Sequence, residues 1–243
     1  MIGRVLLLAL AATMLLTACS ERTAPDDDAA SGVAGAPVGD EGEIFDDDAN
    51  IDLWLERLEV GSRELYSARE AVVAAVGLKE GDVVADVGAG TGLYTLLFAD
   101  AVGESGRIFA EDIEPLFLDL VNRRAADLGF DNVTAVLGRE TSVTLPANFA
   151  DVVFIADSYH YFDDREAIMR TIYDALKPNG SLILVEFDLV PGEAKPDYKS
   201  HVRFGKAGVI SEIEFVGFEL VEAPAVDGLE ENYFVKFIRP AAE

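Results

Sequence analysis

The ten residues VVADVGAGTG, at positions 83–92, join a short apolar run to three glycines at alternate positions. The run is rich in β-branched residues and predicts a buried strand, whereas the apolar segment that follows it, residues 93–101, predicts a helix. Glycines in such a turn allow the backbone to approach a ligand closely. Because parallel α/β sheets bind ligands at the carboxyl ends of their strands, this glycine loop is the first candidate binding site.

Strand and helix patterns alternate through the rest of residues 49–243. The predicted helices are 51–58, 62–76, 93–101, 115–128, 164–176 and 202–215, and the predicted strands are 82–87, 107–112, 132–137, 151–156, 181–187, 218–222 and 232–238. Continuous apolar strands separated by helices predict a parallel sheet that is covered on both faces. The last connection, 223–231, is too short for a crossover helix, so we expect the last two strands to be antiparallel.

Acidic residues near this loop bear on the identity of its ligand. Asp86 precedes the first glycine by two positions, where a carboxylate would repel a pyrophosphate and attract an ammonium group. Asp112 ends the second predicted strand, 24 residues after Gly88, where it can accept hydrogen bonds from both ribose hydroxyls. Glu111 is the alternative, although it should point to the other side of the strand. Leu93 replaces the third glycine of a dinucleotide fingerprint, which disfavours an NAD-dependent oxidoreductase.

Four segments, residues 83–92, 106–115, 151–162 and 176–180, resemble in order and spacing the class I S-adenosylmethionine (SAM)-dependent methyltransferases. The resemblance spans about residues 62–188. It implies an α/β, Rossmann-like fold: a seven-stranded, mostly parallel sheet with helices on both faces and the last strand antiparallel. It further implies that SAM lies across the first two strand ends. The ribose would be held by Asp112, and the methionyl part by Asp86, Gly88, Ala89, Gly90, Thr91 and Gly92.

The chain departs from this family's pattern after the third strand. Many relatives carry an acid directly after the glycine at that point, where it meets the adenine amine. Here Gly138 is followed by Arg139 and only then by Glu140. The resemblance therefore assigns the adenine contact either to Glu140 or to a backbone group.

The segment ADSYHYF, residues 156–162, follows the fourth strand and is the substrate-facing segment by resemblance to the family. A histidine titrates in the range suited to a general base, so His160 is the candidate for removing a proton from the acceptor. Tyr159 and Tyr161 could contact an aromatic substrate or the sulfonium. Asp157 would contact SAM or orient His160. The alternative is that the segment caps the next helix and packs beneath it.

The second histidine, His201, lies in a connection that also leaves the carboxyl end of a strand, so it is a candidate substrate contact; an ordinary surface loop is the alternative. Two histidines without a neighbouring cysteine or acid cluster predict no catalytic metal. The sequence lacks the N-P-P-[YF] type of segment that the superfamily associates with amine methylation. This absence favours a small-molecule acceptor that is methylated on oxygen or carbon.

The N-terminal 48 residues have a different composition. Residues 1–19 have a positive start, an apolar stretch and the sequence LTAC at positions 16–19, which resembles a bacterial lipobox with Cys19 as the lipidated residue. An ordinary secretion signal is the alternative. Residues 20–48 contain ten acids and one arginine and predict a disordered acidic tether. We therefore expect a methyltransferase domain at 49–243, held at the periplasmic face of the envelope by a lipid, or cytoplasmic if no signal is present.

The formal net charge of the chain is −26, and its sequence contains no basic cluster. Because nucleic-acid binding depends on positive side chains that displace counterions, no nucleic-acid partner is expected. The predicted export raises a second hypothesis, since SAM is made in the cytoplasm. The protein could then be a SAM-binding lipoprotein without turnover. The sequence does not indicate an oligomeric state.

Overall fold

The computed structural model describes residues 51–189 and 202–241. Cys19, the acidic tether and His201 lie outside these residues. Seven strands form a single sheet: β1 Val83–Val87, β2 Arg107–Asp112, β3 Val133–Leu137, β4 Ala150–Ala156, β5 Leu176–Phe187, β6 Glu219–Glu222 and β7 Asn232–Ile238. The helices are α1 Ile51–Leu58, α2 Glu64–Ser67, α3 Arg69–Val76, α4 Leu93–Val102, α5 Pro115–Leu128, α6 Arg165–Ala175 and α7 Lys206–Val216.

The strand order is β3-β2-β1-β4-β5-β7-β6. Strands β1 to β5 pair in parallel, whereas β7 is antiparallel to both of its neighbours, β5 and β6. The predicted fold class is confirmed: a mostly parallel seven-stranded sheet with an antiparallel last strand. The expected antiparallel pairing of the last two strands is confirmed as well.

Both faces of the central strands are buried, as the continuous apolar strands indicate. On β4, Val153 and Ile155 belong to one core together with residues of α6 and α7. Their neighbours Val152 and Phe154 belong to a second core, which includes residues of α3 and α4. Successive side chains of a strand point to opposite faces. Polar groups of the central strands are therefore accessible only at the strand ends, and this restricts the site to an edge of the sheet.

Helix boundaries follow the local sequence signals. Helix α4 begins immediately after Gly92, whose φ is 82°. Helix α5 begins at Pro115, and the side chain of Glu114 accepts a hydrogen bond from the Leu116 N–H at 3.2 Å. Proline at the first helical position and a capping carboxylate both suit the unpaired N–H groups of a helix start. Together these signals determine where the chain leaves β1 and β2.

Three predicted boundaries differ from the structure. The helix predicted at 62–76 is divided at Ala68 into α2 and α3, and the late helix begins at Lys206 rather than 202. The strand predicted at 181–187 begins earlier, at Leu176, so β5 also includes residues 177–180. These residues are held by non-local contacts: the Lys177 ammonium binds both carboxylate oxygens of Asp151 at 2.8 Å, and the Asn179 N–H donates to the Arg239 carbonyl at 2.8 Å.

A carboxylate on α2 connects the opening helices to the start of β7. The Glu64 side chain accepts hydrogen bonds from the backbone N–H groups of Glu230, Glu231 and Asn232 at 2.9–3.0 Å. Hydrogen bonds to an ionised acceptor are stronger than neutral ones. The opening helices are thereby attached to the sheet across more than 160 residues of sequence. Within the described ranges, no helix is long and apolar enough to cross a membrane.

We expect Glu64→Ala to lower the free energy of unfolding by about 1–2 kcal/mol, because three backbone N–H groups lose a charged acceptor. Urea unfolding of the full chain, followed by circular dichroism, measures the change. The control is Glu70→Ala, since the Glu70 side chain is 88% exposed and makes only a distant ion pair. Equal unfolding midpoints for the two variants would contradict the prediction.

Candidate functional site

A cavity of about 1040 Å³ lies at the carboxyl ends of β1, β2 and β4. It collects most of the predicted site residues, which come from separate parts of the sequence. Those that line it are Asp86, Gly88, Ala89, Gly90, Thr91, Asp112, Glu140, Asp157, His160 and Tyr161. Parallel strands place their carboxyl ends at a common edge, so the topology brings these loops together.

The glycine loop has no room for side chains at its first glycine. Gly88 has a φ of +70°, and a methyl group on its Cα would lie 2.4 Å from the Ser158 hydroxyl oxygen. The N–H groups of Gly88 and Ala89 both donate to the Glu111 carbonyl, at 2.9 and 3.0 Å. The loop therefore packs closely between the ends of β2 and β4, and its backbone forms part of the cavity wall.

Asp86 is buried beneath this loop. Its Oδ2 accepts a hydrogen bond from the Thr95 hydroxyl at 2.5 Å. Burial raises the pKa of Asp86 to about 7, opposed by the Thr95 hydrogen bond and reinforced by the nearby charge of Asp112. A carboxyl group of this kind ionises readily when a cation enters the cavity beside it.

Asp112 is oriented by two backbone donors. Its Oδ2 accepts from the Gly90 N–H at 2.9 Å and its Oδ1 accepts from the Glu114 N–H at 2.9 Å. Burial raises the pKa of Asp112, and these hydrogen bonds act in the opposite direction. Each carboxylate oxygen keeps a second lone pair, so the group can still accept hydrogen bonds from a ligand in the cavity.

Glu111 lines the same cavity as Asp112, so the expectation that it points away to the other side of the strand is wrong. A side chain at Gly138 would lie 1.6 Å from Glu111 Oε1, so the carboxyl group occupies the space that the glycine leaves open. Burial, followed by the charge of Asp112, raises the pKa of Glu111 to about 8. The signal available in the sequence was Gly138, which was interpreted only as the residue that follows the third strand.

The walls beside Asp112 include one apolar and two charged residues. Ile113 is 53% exposed although it is large and apolar, and it lines the cavity together with Arg139 and Glu140. Ile113 was not among the site residues predicted from the sequence. The structure thus places Glu140 and the apolar side chain of Ile113 in the same cavity wall, a combination that suits an aromatic ring with a polar edge.

Asp157 lies at the end of β4 in a left-handed conformation, with a φ of 46°. It accepts hydrogen bonds from the Arg63 guanidinium at 2.9 Å and from the Asn232 amide at 2.7 Å. Burial raises its pKa to about 6, with a further increase from Glu186 and opposing effects of Arg63 and His160. Asp157 therefore joins the opening helices and β7 to the cavity wall.

His160 forms a buried pair with a carboxylate. Its Nδ1 lies 2.7 Å from Glu186 Oε1, and its backbone N–H donates to Glu186 Oε2 at 3.3 Å. The side chains of both residues are almost fully buried, and His160 also lines the cavity. Glu186 was not among the residues predicted from the sequence. The available signal was an acid within the apolar run of β5, LILVEF.

Of the remaining predicted site residues, Tyr161 lines the cavity, whereas Tyr159 and Gly92 do not. Tyr161 is 55% exposed, lines the cavity and has its ring centroid 4.2 Å from that of His160. Tyr159 is not among the cavity-lining residues: it is buried in the core, and its hydroxyl donates to Glu212 at 2.9 Å. Gly92 is also outside the lining, because it packs against Val121 at the start of α4.

The opening helices cover the glycine loop. The Trp54 ring meets the Phe117 ring edge-on, with centroids 5.4 Å apart, and both residues line the cavity. The Arg124 guanidinium binds the Glu59 carboxylate and donates to the Thr91 carbonyl at 2.8 Å. No group of three or more His, Cys, Asp or Glu side chains within residues 51–189 and 202–241 is arranged to hold a metal ion.

Comparisons with known proteins are consistent with this geometry. Residues 84–180 match the family described as methyltransferase domain. Over 149 residues the chain is 31% identical to the ubiquinone/menaquinone biosynthesis C-methyltransferase UbiE of Hydrogenovibrio crunogenus, a match that covers 60% of this chain and 58% of that protein. The UbiE of Azotobacter vinelandii is 32% identical over 140 residues, with 57% and 54% covered. The chain thus spans little more than half the length of these curated relatives.

Solved structures share the fold. A SAM-dependent methyltransferase from Aquifex aeolicus superposes with a TM-score of 0.66 at 24% identity, covering 76% of this chain and 96% of that one. The methyltransferase from the Trm112 activator complex of Haloferax volcanii has a TM-score of 0.68 at 17% identity, with 79% and 96% covered. Residues 84–180 are therefore similar to a methyltransferase domain, the described residues share the fold of SAM-dependent methyltransferases, and the cofactor that this similarity implies is SAM.

Proposed function

We propose that this chain binds SAM in the cavity and transfers its methyl group to an oxygen or carbon atom of a small-molecule acceptor. The observation that carries the proposal is the convergence of the glycine loop, Asp86, Asp112 and the His160–Glu186 pair on one cavity. The first three suit the cofactor. The fourth suits the removal of a proton from an acceptor.

The residues present fit SAM. Asp86 would balance the ammonium of the methionyl part, since it lies beneath the loop and its pKa is poised near neutrality. Asp112, fixed by two backbone N–H groups, would accept the ribose hydroxyls. Ile113 and the residues after Gly138 would enclose the adenine, with Glu140 or Glu111 as its polar contact. When bound, SAM supplies an electrophilic methyl group on a positively charged sulfur.

The size of the cavity supports a second ligand. Pockets for single small molecules measure about 300–1,000 Å³. The cavity reaches the upper end of this range at about 1040 Å³ and extends from the glycine loop to Tyr161, Phe162 and Phe187. An acceptor bound against these aromatic side chains would lie beside His160. We therefore assign this end of the cavity to the acceptor, with Tyr161 as a substrate contact.

His160 is our candidate for the general base. Methyl transfer to a hydroxyl or an acidic carbon requires that the acceptor lose its proton, and a positioned imidazole can take it. Asp157 would have a structural role near His160, because its hydrogen bonds hold Arg63 and Asn232 at the cavity wall. The buried histidine–carboxylate pair at the acceptor end favours turnover over SAM binding alone.

The relatives named UbiE are C-methyltransferases of ubiquinone and menaquinone biosynthesis. A carbon acceptor is compatible with the class that we propose. The matched region, however, covers little more than half of those proteins, so the acceptor is assigned here from the residues of this cavity rather than from theirs.

We also propose, from the sequence at positions 16–19, that Cys19 is lipidated and holds the chain at the envelope. A radioactive fatty acid fed to expressing cells should label the wild-type protein and not Cys19→Ala. Equal labelling of the two proteins would rule out lipidation at this residue.

The dissociation constant of SAM should depend on pH through Asp86. The free protein has this group protonated below a pKa of about 7, whereas the ammonium of SAM favours the ionised form. Binding therefore releases a proton, and the affinity should rise about tenfold between pH 5.5 and pH 7. Calorimetry in two buffers of different ionisation enthalpy measures the dissociation constant and the number of protons released on binding. In Asp86→Asn the affinity should be lower and the pH dependence lost; a wild-type affinity independent of pH would count against this role.

Turnover should depend on His160. With methyl-labelled SAM and a protein-free small-molecule extract, we expect labelled product from the wild type and a rate about 10²–10⁴-fold lower from His160→Gln. The SAM dissociation constant should stay within about twofold of the wild-type value, because His160 lies at the acceptor end. Product formation by His160→Gln at the wild-type rate would exclude His160 as the base. Tight SAM binding without any labelled product would indicate a protein without turnover.

A further inference from the structure

Glu186 is a buried acid near the carboxyl end of β5. It lies in β5, between Val185 and Phe187, and is 1% exposed. Burying a carboxylate is costly unless hydrogen bonds compensate for the lost water. Within the part of the chain that the structure describes, Glu186 has three such contacts: the His160 Nδ1 at 2.7 Å, the His160 N–H at 3.3 Å and the Phe187 N–H at 2.8 Å. Two of the three come from His160.

His160 is the basic side chain that pairs with Glu186 among the described residues. Arg63 pairs instead with Asp157, and Arg165 with Glu212. The other groups that face Glu186 are Asp157 and the hydroxyls of Tyr161 and Tyr233, and its charge contributes to raising the pKa of all three. Arg165 and Arg203 border the small pocket that Glu186 shares with His160.

The hydrogen-bond geometry determines which nitrogen of His160 carries the proton. An ionised carboxylate can only accept hydrogen bonds, and Glu186 already accepts two from backbone N–H groups. The short contact at Nδ1 therefore requires Nδ1 to donate. In the neutral ring the proton acceptor is then Nε2. A carboxylate that holds a histidine in this tautomer also stabilises the imidazolium that forms when the ring takes a proton.

We propose that Glu186 is a positioning residue for His160 and that the pair selects an acceptor that must lose a proton, either a hydroxyl or an acidic carbon. The inference rests on the proposed function and adds the residue that positions its proposed base. A neutral amine attacks a methyl sulfonium through its own lone pair and needs no base beforehand. A buried base held by a carboxylate suits an acceptor that is protonated and weakly nucleophilic, such as a hydroxyl group or an acidic carbon.

The step balances without a further reagent. The acceptor O–H or C–H bond breaks and its proton goes to Nε2 of His160. The electron pair left on the acceptor forms the new bond to the methyl carbon, and the carbon–sulfur bond breaks with its electrons on sulfur. The positive charge thus passes from the sulfonium to the imidazolium, beside the Glu186 carboxylate, and the proton is later lost to water.

Nitrogen-15 NMR of histidine-labelled full-length protein tests the tautomer. The chain has two histidines, and the signals of His160 are those that disappear in His160→Gln. We expect the neutral ring of the wild type to carry its proton on Nδ1, and Glu186→Leu to move the population towards the Nε2-protonated form. The control is Glu212→Gln, an acid in contact with Tyr159 and Arg165 but not with His160. A wild-type ring protonated on Nε2, or no change in Glu186→Leu, would overturn the proposal.

Glu186→Gln tests the functional part, because it preserves the shape of the side chain and removes its charge. With methyl-labelled SAM and the small-molecule extract, we expect turnover to fall by about 10–100-fold while SAM affinity stays within about twofold. Mass spectrometry of the labelled product should place the methyl group on oxygen or carbon. A methyl group on nitrogen, or full turnover in Glu186→Gln, would refute the proposal. Failure of the wild type to bind SAM would instead refute the proposed function, and the NMR result would still decide the role of Glu186.

Discussion

The hydrogen bonds from the Gly88 and Ala89 N–H groups to the Glu111 carbonyl hold the ends of β1 and β2 together, and the site depends on this junction. The junction bends the chain over Asp86 and directs the Gly90 N–H onto the Asp112 carboxylate. Only a glycine can occupy position 88, because φ is positive and Ser158 closes the space on the other side. One backbone turn thus sets the positions of both acids that suit the cofactor.

This junction has an electrostatic cost. Asp86, Glu111 and Asp112 are three carboxyl groups buried close together, and the pKa of each is raised, chiefly by burial. For Asp86 the pKa rises from 3.8 in the unfolded chain to about 7, so the folded state binds the extra proton between these values. The stability that this proton confers is complete below about pH 4 and is lost as the pH rises through 7. A bound cation such as SAM would offset the loss, which couples the stability of the fold to its ligand.

Much of this architecture could be predicted from the sequence, because β1, the glycine loop and the alternating elements are encoded locally. The 93–101 helix, the acid at Asp112 and the antiparallel final strand follow from runs and spacings within short windows. Glu186 could not be assigned in the same way, since its partner His160 is 26 residues away on another strand end. The same holds for Glu111, whose importance depends on the empty space at Gly138 on the neighbouring strand. Tyr159 was assigned with its neighbours, but a single turn of 3-10 helix directs it into the core.

The most direct test of the central claim is calorimetric titration of the full-length protein with SAM and, separately, with NAD. We predict that SAM binds with a dissociation constant well below 1 mM, the value that corresponds to a binding free energy of about −4 kcal/mol. NAD should show no binding at about 1 mM. Gly88→Ala should abolish SAM binding. Gly129 has a similar positive φ but open space around it, so Gly129→Ala should bind SAM like the wild type. NAD binding, or SAM binding that survives in Gly88→Ala, would contradict the account.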